Sequence, residues 1–308
     1  MVVLIIIALI IVAIIIMLNI IIKKSFGRGK DYDVKIALRN NPDLLRIIDE
    51  GHKNLEKHTP EEVNITSRDN VPLYGLFYNR NSCVTVICVH GYHSNLKNDF
   101  CTAIDYLLNL GFNVLTVSQR CHGKSGGKYL TFGVKERFDC VDWCNYIIER
   151  LGKDTKIILD GVSMGAATVT MASDKTVGLP RNVKLIIADS GYSSPWDIIC
   201  DVVKKQYHIP PNPFMAIIRP IIKLVCGFDI KASSSVEAVK NTETPIFFAH
   251  GKADDFVPYQ MGVEISNACV SDHFLFSVDN AGHGLSFVVD TENYRKELNK
   301  FLDKYVTT

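Results

Sequence analysis

The chain has 308 residues, of which 47% are hydrophobic and 22% are charged. This composition is typical of a globular protein and excludes a disordered chain, and a formal net charge of +1 gives no electrostatic reason to expect a nucleic-acid partner. The charges are unevenly placed, because residues 1–22 contain no Asp, Glu, Lys or Arg. The remaining residues, 23–308, are enough for one large α/β domain.

The first predicted element is an apolar helix over residues 2–22, in which only Asn19 is clearly polar. A helix of this length would rise about 31 Å at about 1.5 Å per residue, which is close to the hydrocarbon thickness of a bilayer. A cleaved signal peptide is the alternative, but the segment has no basic start, exceeds the usual apolar length and is not followed by a cleavage site of small residues. We therefore predict that residues 1–22 form a single-pass anchor in the cell membrane.

The basic side chains near this helix all follow it. They are Lys23, Lys24, Arg28, Lys30, Lys35 and Arg39. The positive-inside rule then predicts that the rest of the chain lies in the cytoplasm. The nine cysteines agree with a reducing compartment, because their number is odd and no Cys-x-x-Cys pair occurs, as expected for free thiols.

Residues 23–59 are predicted to form a juxtamembrane helical segment, since residues 31–58 carry apolar side chains at helical spacing with charges between them. Residues 60–308 then alternate between strands and helices. The predicted strands cover residues 63–66, 73–78, 85–89, 112–117, 156–159, 184–188, 245–249 and 274–278. The predicted helices cover residues 98–110, 134–151, 164–173, 259–268 and 293–305. Two hairpin-like strands followed by this alternation indicate an α/β fold with a mostly parallel central sheet and helices on both faces.

One interval interrupts the alternation, between the strand that ends at Ala188 and the strand that begins at Pro245. It contains a cluster of prolines and the apolar stretch Phe214–Val225. We predict that about residues 192–243 form a small helical lid over the edge of the sheet where ligands bind.

Residues 161–165 read Gly-Val-Ser-Met-Gly and match the pattern Gly-x-Ser-x-Gly, in which the serine lies on a sharp turn between a strand and a helix. Ser163 directly follows the apolar strand at 156–159 and precedes an alanine-rich helical segment. A second match at residues 123–127 lacks this setting, and it also lacks the first glycine of a phosphate-binding loop. Ser163 is therefore the candidate nucleophile, and a structural turn serine is the alternative.

A serine hydroxyl needs a base that takes its proton, and the base needs an acid that orients it. His283 is the candidate base because it follows the strand at 274–278 in a loop of small residues. Asp254 is the candidate acid in the loop after the strand at 245–249, and Asp255 is the alternative.

A tetrahedral intermediate also needs N–H donors for its oxyanion. One candidate donor is the N–H of Met164, the residue after the nucleophile, and the other is the N–H of Tyr92, in the turn after the strand at 85–89. We expect neither a cofactor nor a metal ion.

Together these motifs resemble the α/β-hydrolase superfamily, and they look most like its bacterial membrane-anchored branch, grouped with serine aminopeptidase-like and acyl-ester hydrolases. The matching segments are residues 90–92, 120–125, 131–133, 161–166, 189–194, 250–258 and 282–283. The resemblance covers about residues 60–305 and implies an α/β-hydrolase domain with a Ser-Asp-His triad. The chain departs from the usual pattern at Ser118 and Cys121, where an Asp and a Gly are expected, and neither position is catalytic.

The motifs predict a serine hydrolase that cleaves an ester, thioester or related small-molecule acyl substrate through an acyl-enzyme. The alternatives are a serine peptidase of the aminopeptidase-like type and a non-catalytic binding protein on a hydrolase scaffold, because fold alone does not determine function. Retention of the three triad residues and of both glycines in 161–165 favours the enzyme over the binding protein.

Overall fold

The computed structural model describes residues 1–32, 38 and 41–307, without the side chains of residues 3, 4, 7, 8, 10, 11, 14 and 15. Part of the predicted juxtamembrane segment, including Lys35 and Arg39, lies outside the described residues.

Eight strands in the described part of the chain form one central sheet. They are β1 Glu61–Thr66, β2 Pro72–Tyr78, β3 Val84–Val89, β4 Asn113–Ser118, β5 Lys156–Val162, β6 Val183–Asp189, β7 Ile246–Gly251 and β8 His273–Val278. Their order is β1-β2-β4-β3-β5-β6-β7-β8, with antiparallel pairing at β1–β2 and β2–β4 and parallel pairing elsewhere. Each predicted strand is found, with ends that shift by a few residues.

Helices pack on the sheet and on one another. They are α1 Val2–Phe26, α2 Pro42–Leu55, α3 Cys101–Asn109, α4 Glu136–Leu151, α5 Met164–Ala172, α6 Pro195–Tyr207, α7 Pro211–Cys226, α8 Ser235–Val239, α9 Tyr259–Ala268, α10 Ser286–Val289 and α11 Thr291–Leu302. Strands β3, β4 and β7 are buried along their whole length, as expected for strands with helices on both faces. Neighbouring side chains of β3 enter different cores, since Val86 packs with Ile104 of α3 and Ile87 packs with Trp143 of α4.

Three helices lie in the interval predicted as a lid. Helices α6 and α7 share a small apolar core of their own, which includes Val203, Met215 and Ile222. Helix α8 instead packs against α5 and α9, and its Val239 belongs to a core beside the sheet. The two helices that share this separate core, α6 and α7, therefore span fewer residues than the predicted lid at 192–243.

Helix α1 includes the segment predicted as a membrane anchor. Among the side chains that the structure describes, no helix is both long enough and apolar enough to cross a membrane. The last turns of α1 pack on the rest of the protein, because Ile22 and Phe26 are buried in the same apolar core as α6 and α7.

Helix α2 is the described part of the predicted juxtamembrane segment that packs on the α/β domain. It begins with Pro42 after the N-cap Asn41, whose side chain accepts a hydrogen bond from the N–H of Leu44. Its buried residues Ile48 and Leu55 face α3 and the neighbouring core.

Candidate active site

Ser163 lies on a sharp turn between β5 and α5. Its backbone has φ +58° and ψ −118°, a conformation that costs a residue other than glycine roughly 1–3 kcal/mol. The turn is held by the sheet, because the N–H of Ser163 donates a hydrogen bond of 2.8 Å to the carbonyl of Asp189, at the end of β6. The strain therefore has a compensating contact and directs Ser163 out of the strand.

The two glycines around Ser163 are required by close backbone contacts. A Cβ atom at Gly161 would lie 2.4 Å from the carbonyl oxygen of Gly165. A Cβ atom at Gly165 would lie 1.8 Å from the carbonyl oxygen of Val89, at the end of β3. Both positions therefore exclude a side chain, and the first turn of α5 can lie directly on β3 and β5.

The structure brings the predicted serine, histidine and aspartate together. His283 Nε2 lies 2.8 Å from Ser163 Oγ, and His283 Nδ1 lies 2.8 Å from Asp254 Oδ2. Asp254 follows β7 and His283 follows β8, so parallel strands present all three residues at one edge of the sheet. The distances fit a proton passing from the hydroxyl to the imidazole, which the carboxylate orients.

Asp254 is fully buried but well supplied with donors. Its Oδ1 accepts hydrogen bonds from the N–H groups of Phe256 at 3.0 Å and Val257 at 2.8 Å. Burial alone would raise the pKa of Asp254, but the contacts with His250 and His283 outweigh it and hold the pKa below its usual range. The carboxylate is therefore ionised, and it favours the tautomer of His283 that carries a proton on Nδ1.

His250 is a site residue that sequence reasoning missed. Its Nε2 lies 3.3 Å from Asp254 Oδ2 and 3.0 Å from the carbonyl oxygen of Val257. Gly262 in α9 makes room for the ring, because a Cβ atom there would lie 2.4 Å from His250 Nδ1. The available signal was its position four residues before Asp254. Asp255, the alternative acid, is exposed to solvent.

The two predicted oxyanion donors lie on two segments that reach Ser163, the start of α5 and the loop after β3. Met164 is the first residue of α5, and the first N–H groups of a helix have no acceptor within the helix. The loop after β3 also reaches the serine, since a Cβ atom at Gly91 would lie 3.2 Å from Ser163 Cβ. The N–H of Gly91 points to Asp99 Oδ2 at 2.6 Å, which leaves the N–H of the next residue, Tyr92, as the donor candidate of this loop.

A second group of carboxyl side chains lines a cavity that Val162, the residue before Ser163, also lines. Asp99, Asp160 and Asp189 line this cavity together with Tyr294. Burial, and then the nearby Asp189, raise the pKa of Asp160 to about 8. Within the described residues, no group of three or more His, Cys, Asp or Glu side chains is arranged to hold a metal ion.

Comparison with known proteins supports the fold. Residues 84–208 match the family model described as alpha/beta hydrolase fold. A Bacillus subtilis (strain 168) protein called uncharacterized protein YqkD is 26% identical over 219 residues, which are 71% of this chain and 71% of that protein.

Solved structures show the same architecture. The Pyrococcus furiosus esterase Pf2001 is 26% identical with a TM-score of 0.67, over 82% of this chain and 93% of that one. The mouse alpha/beta hydrolase domain-containing protein 10 is 18% identical with a TM-score of 0.57, over 79% of this chain and 99% of that one, and it shows the fold alone. The chain therefore has the α/β-hydrolase fold.

Proposed function

We propose that this protein is a serine hydrolase that cleaves an ester or a related acyl substrate. One observation carries the proposal: the hydroxyl of Ser163, the imidazole of His283 and the carboxylate of Asp254 form a continuous chain with 2.8 Å at each link. Similarity to an esterase from Pyrococcus furiosus supports an ester as the first substrate class to test.

In the proposed reaction, His283 Nε2 takes the proton of Ser163 Oγ while the oxygen attacks the carbonyl carbon of the substrate. The carbonyl oxygen becomes an oxyanion, which the N–H groups of Met164 and Tyr92 would stabilise. The imidazolium of His283 then protonates the leaving group as its bond to the carbonyl carbon breaks. An acyl-enzyme on Ser163 results.

A water molecule completes the cycle by the same steps. His283 takes a proton from the water, the hydroxide oxygen attacks the acyl carbon, and the proton then passes to Ser163 Oγ as the acid product leaves. Asp254 stays ionised in each step and stabilises the imidazolium. No external oxidant, reductant or cofactor is needed for this balance.

A fluorophosphonate probe tests the nucleophile. The wild-type protein should be labelled and Ser163→Ala should not, because the probe bonds to an activated serine oxygen. Ser125→Ala is the matched control, since Ser125 occupies the other Gly-x-Ser-x-Gly match and its buried Oγ is engaged by Ser118 and Tyr74. The control should be labelled like the wild type.

Two results would contradict the proposal. Labelling that persists in Ser163→Ala would exclude Ser163 as the nucleophile. Absence of labelling in the folded wild type would favour a binding protein on a hydrolase scaffold. A separate assay distinguishes an esterase from the alternative, an aminopeptidase-like serine peptidase. It measures hydrolysis of aryl esters, thioesters and amino-acid arylamides of graded acyl length by the wild-type protein.

We further propose that residues 1–22 attach the protein to the cell membrane, with the catalytic domain on the cytoplasmic side. The support is the absence of charged side chains before Lys23 and the exposure of Ile5, Ile6 and Leu9 on α1. A small acyl compound of the membrane or cytoplasm would then be the substrate.

A further inference from the structure

The end of α1 and the residues that follow it cross the loop of the proposed oxyanion donor, and we call residues 25–32 the strap. The hydroxyl of Tyr92 donates a hydrogen bond to the carbonyl of Ser25 at 3.1 Å, and His93 Nε2 lies 3.4 Å from the carbonyl oxygen of Gly27. The N–H of Tyr32 donates to the carbonyl of His93 at 2.8 Å. The strap therefore contacts the loop at two successive residues, beside its proposed donor.

Asp99 connects the strap to the loop through hydrogen bonds to residues of both. Its Oδ1 accepts hydrogen bonds from the hydroxyl of Tyr32 at 2.8 Å and from Ser94 Oγ at 2.7 Å. Its Oδ2 accepts the N–H of Gly91 at 2.6 Å. Burial raises the pKa of Asp99, and these three donors oppose the rise by stabilising the carboxylate.

The N–H of Tyr92 lies in the peptide plane that begins at the Cα atom of Gly91, and the N–H of Gly91 that Asp99 accepts lies in the plane before it. The contact with Asp99 therefore holds Gly91, the residue from which the donor plane starts. Gly91 also lies against the nucleophile, since a Cβ atom there would be 3.2 Å from both Ser163 Cβ and Asp99 Oδ2. A shift of Asp99 would therefore move Gly91, and with it the peptide that carries the N–H of Tyr92, relative to Ser163.

The strap is itself fixed to the body of the protein. Arg28 donates hydrogen bonds to the carbonyl oxygens of Gly123 at 2.6 Å and Ser125 at 2.5 Å. The N–H of Leu130 donates to the carbonyl of Phe26 at 2.8 Å. These contacts on both sides make the strap a fixed support for Tyr32.

We propose that Tyr32 is a positioning residue of the active site, which acts through Asp99 and Gly91 to aim the N–H of Tyr92 at the oxyanion. The proposal rests on the hydrolase function proposed above. It assigns a role in catalysis to a residue outside the Gly-x-Ser-x-Gly, aspartate and histidine motifs. Its effect should fall on the transition state, where the oxyanion exists, and spare substrate binding.

The test compares Tyr32→Phe with the wild type, both as full-length chains, on an aryl ester that the wild type cleaves. Loss of one hydrogen bond to a carboxylate should lower kcat about fivefold with KM unchanged. The inhibition constant of an alkyl boronic acid should rise by the same factor, because its tetrahedral adduct with Ser163 places an oxygen in the oxyanion site.

Tyr305→Phe is the matched control, because Tyr305 also donates its hydroxyl to an aspartate, Asp272, in the C-terminal part of the chain. Its kcat and boronate inhibition should equal those of the wild type. The thermal midpoints of both variants should fall by similar amounts, so that a general loss of stability does not explain the change at Tyr32.

A double-mutant cycle checks the route of the effect. In an Asp99→Ala background, Tyr32→Phe should change kcat less than about twofold, because the hydroxyl no longer has a carboxylate to act through. The proposal would be overturned if the effects of the two substitutions on kcat simply multiplied in the double mutant. It would also be overturned if Tyr32→Phe had wild-type kinetics while Ser163 still reacted with a fluorophosphonate. Failure of the hydrolase proposal looks different, since the wild type itself would then not be labelled.

Discussion

Asp254 and Asp160 are both buried aspartates near Ser163, yet their pKa values move in opposite directions. Asp254 accepts hydrogen bonds from two N–H groups and contacts two imidazoles, and its pKa lies below the usual range. Asp160 is buried beside Asp189, and its pKa rises to about 8. Environment therefore keeps one carboxylate charged for His283 and the other protonated at neutral pH.

We predict that Asp160→Asn makes the free energy of unfolding depend less strongly on pH. An unfolded aspartate has a pKa of about 3.9, so between pH ~4 and ~8 the folded state holds one proton more than the unfolded state. This proton makes the free energy of unfolding fall as pH rises across that window. Asn cannot ionise and keeps a similar shape.

Urea unfolding at pH 5 and pH 8 measures this effect. The wild type should lose more stability than Asp160→Asn between the two pH values, and the other titrating groups are common to both proteins. Equal losses in the two proteins would contradict a raised pKa at Asp160.

At the scale of elements, helix α5 depends on its contact with β3 and β5. We predict that Gly165→Ala lowers the free energy of unfolding by at least about 3 kcal/mol, because the new Cβ would overlap the carbonyl oxygen of Val89. Gly111→Ala is the control. Its new Cβ would meet nothing within 4 Å, and only its φ of +81° would cost about 1–2 kcal/mol.

Denaturant midpoints of the two variants provide the measurement. The prediction fails where Gly165→Ala is no less stable than Gly111→Ala, since the close approach of α5 to β3 would then be absent in solution.

The elements that local patterns describe well were predicted from sequence. Apolar runs between turn residues located the strands, and the glycines of 161–165 located the turn of Ser163. The contact of Tyr32 with Asp99 joins parts of the chain that are 67 residues apart, and no periodicity records such a contact. The predicted lid interval also includes α8, because no local pattern records the tertiary packing that joins this helix to α5 and α9.

At the scale of the whole molecule, we predict that residues 1–22 bind the chain to membranes. The full-length protein should sediment with membranes, and replacing Ile6 and Val12 by lysine should release it, since a lysine at the centre of a spanning helix costs about 2.5–3.5 kcal/mol. Replacing Lys23 and Lys24 by arginine is the control, which preserves charge. A wild type that stays in the supernatant would contradict the prediction.

Cysteine labelling of cells that produce the protein tests on which side of the membrane the catalytic domain lies. Cys83 is exposed, whereas most of the other cysteines are buried. A membrane-impermeant maleimide should therefore label the protein only after lysis, and Cys83→Ser should lose most of that label. Labelling of intact cells would place the catalytic domain outside.

Because Ile22 and Phe26 are buried, the last turns of α1 pack directly on the rest of the protein, without a flexible linker between them. An enzyme on a long flexible linker explores a volume of solution around its point of attachment. Here the helix and the body would tilt and rotate as one piece. With α1 seated in a bilayer, the reactive hydroxyl would keep a constant height above the lipid, and compounds diffusing laterally in that layer would meet it at a fixed angle.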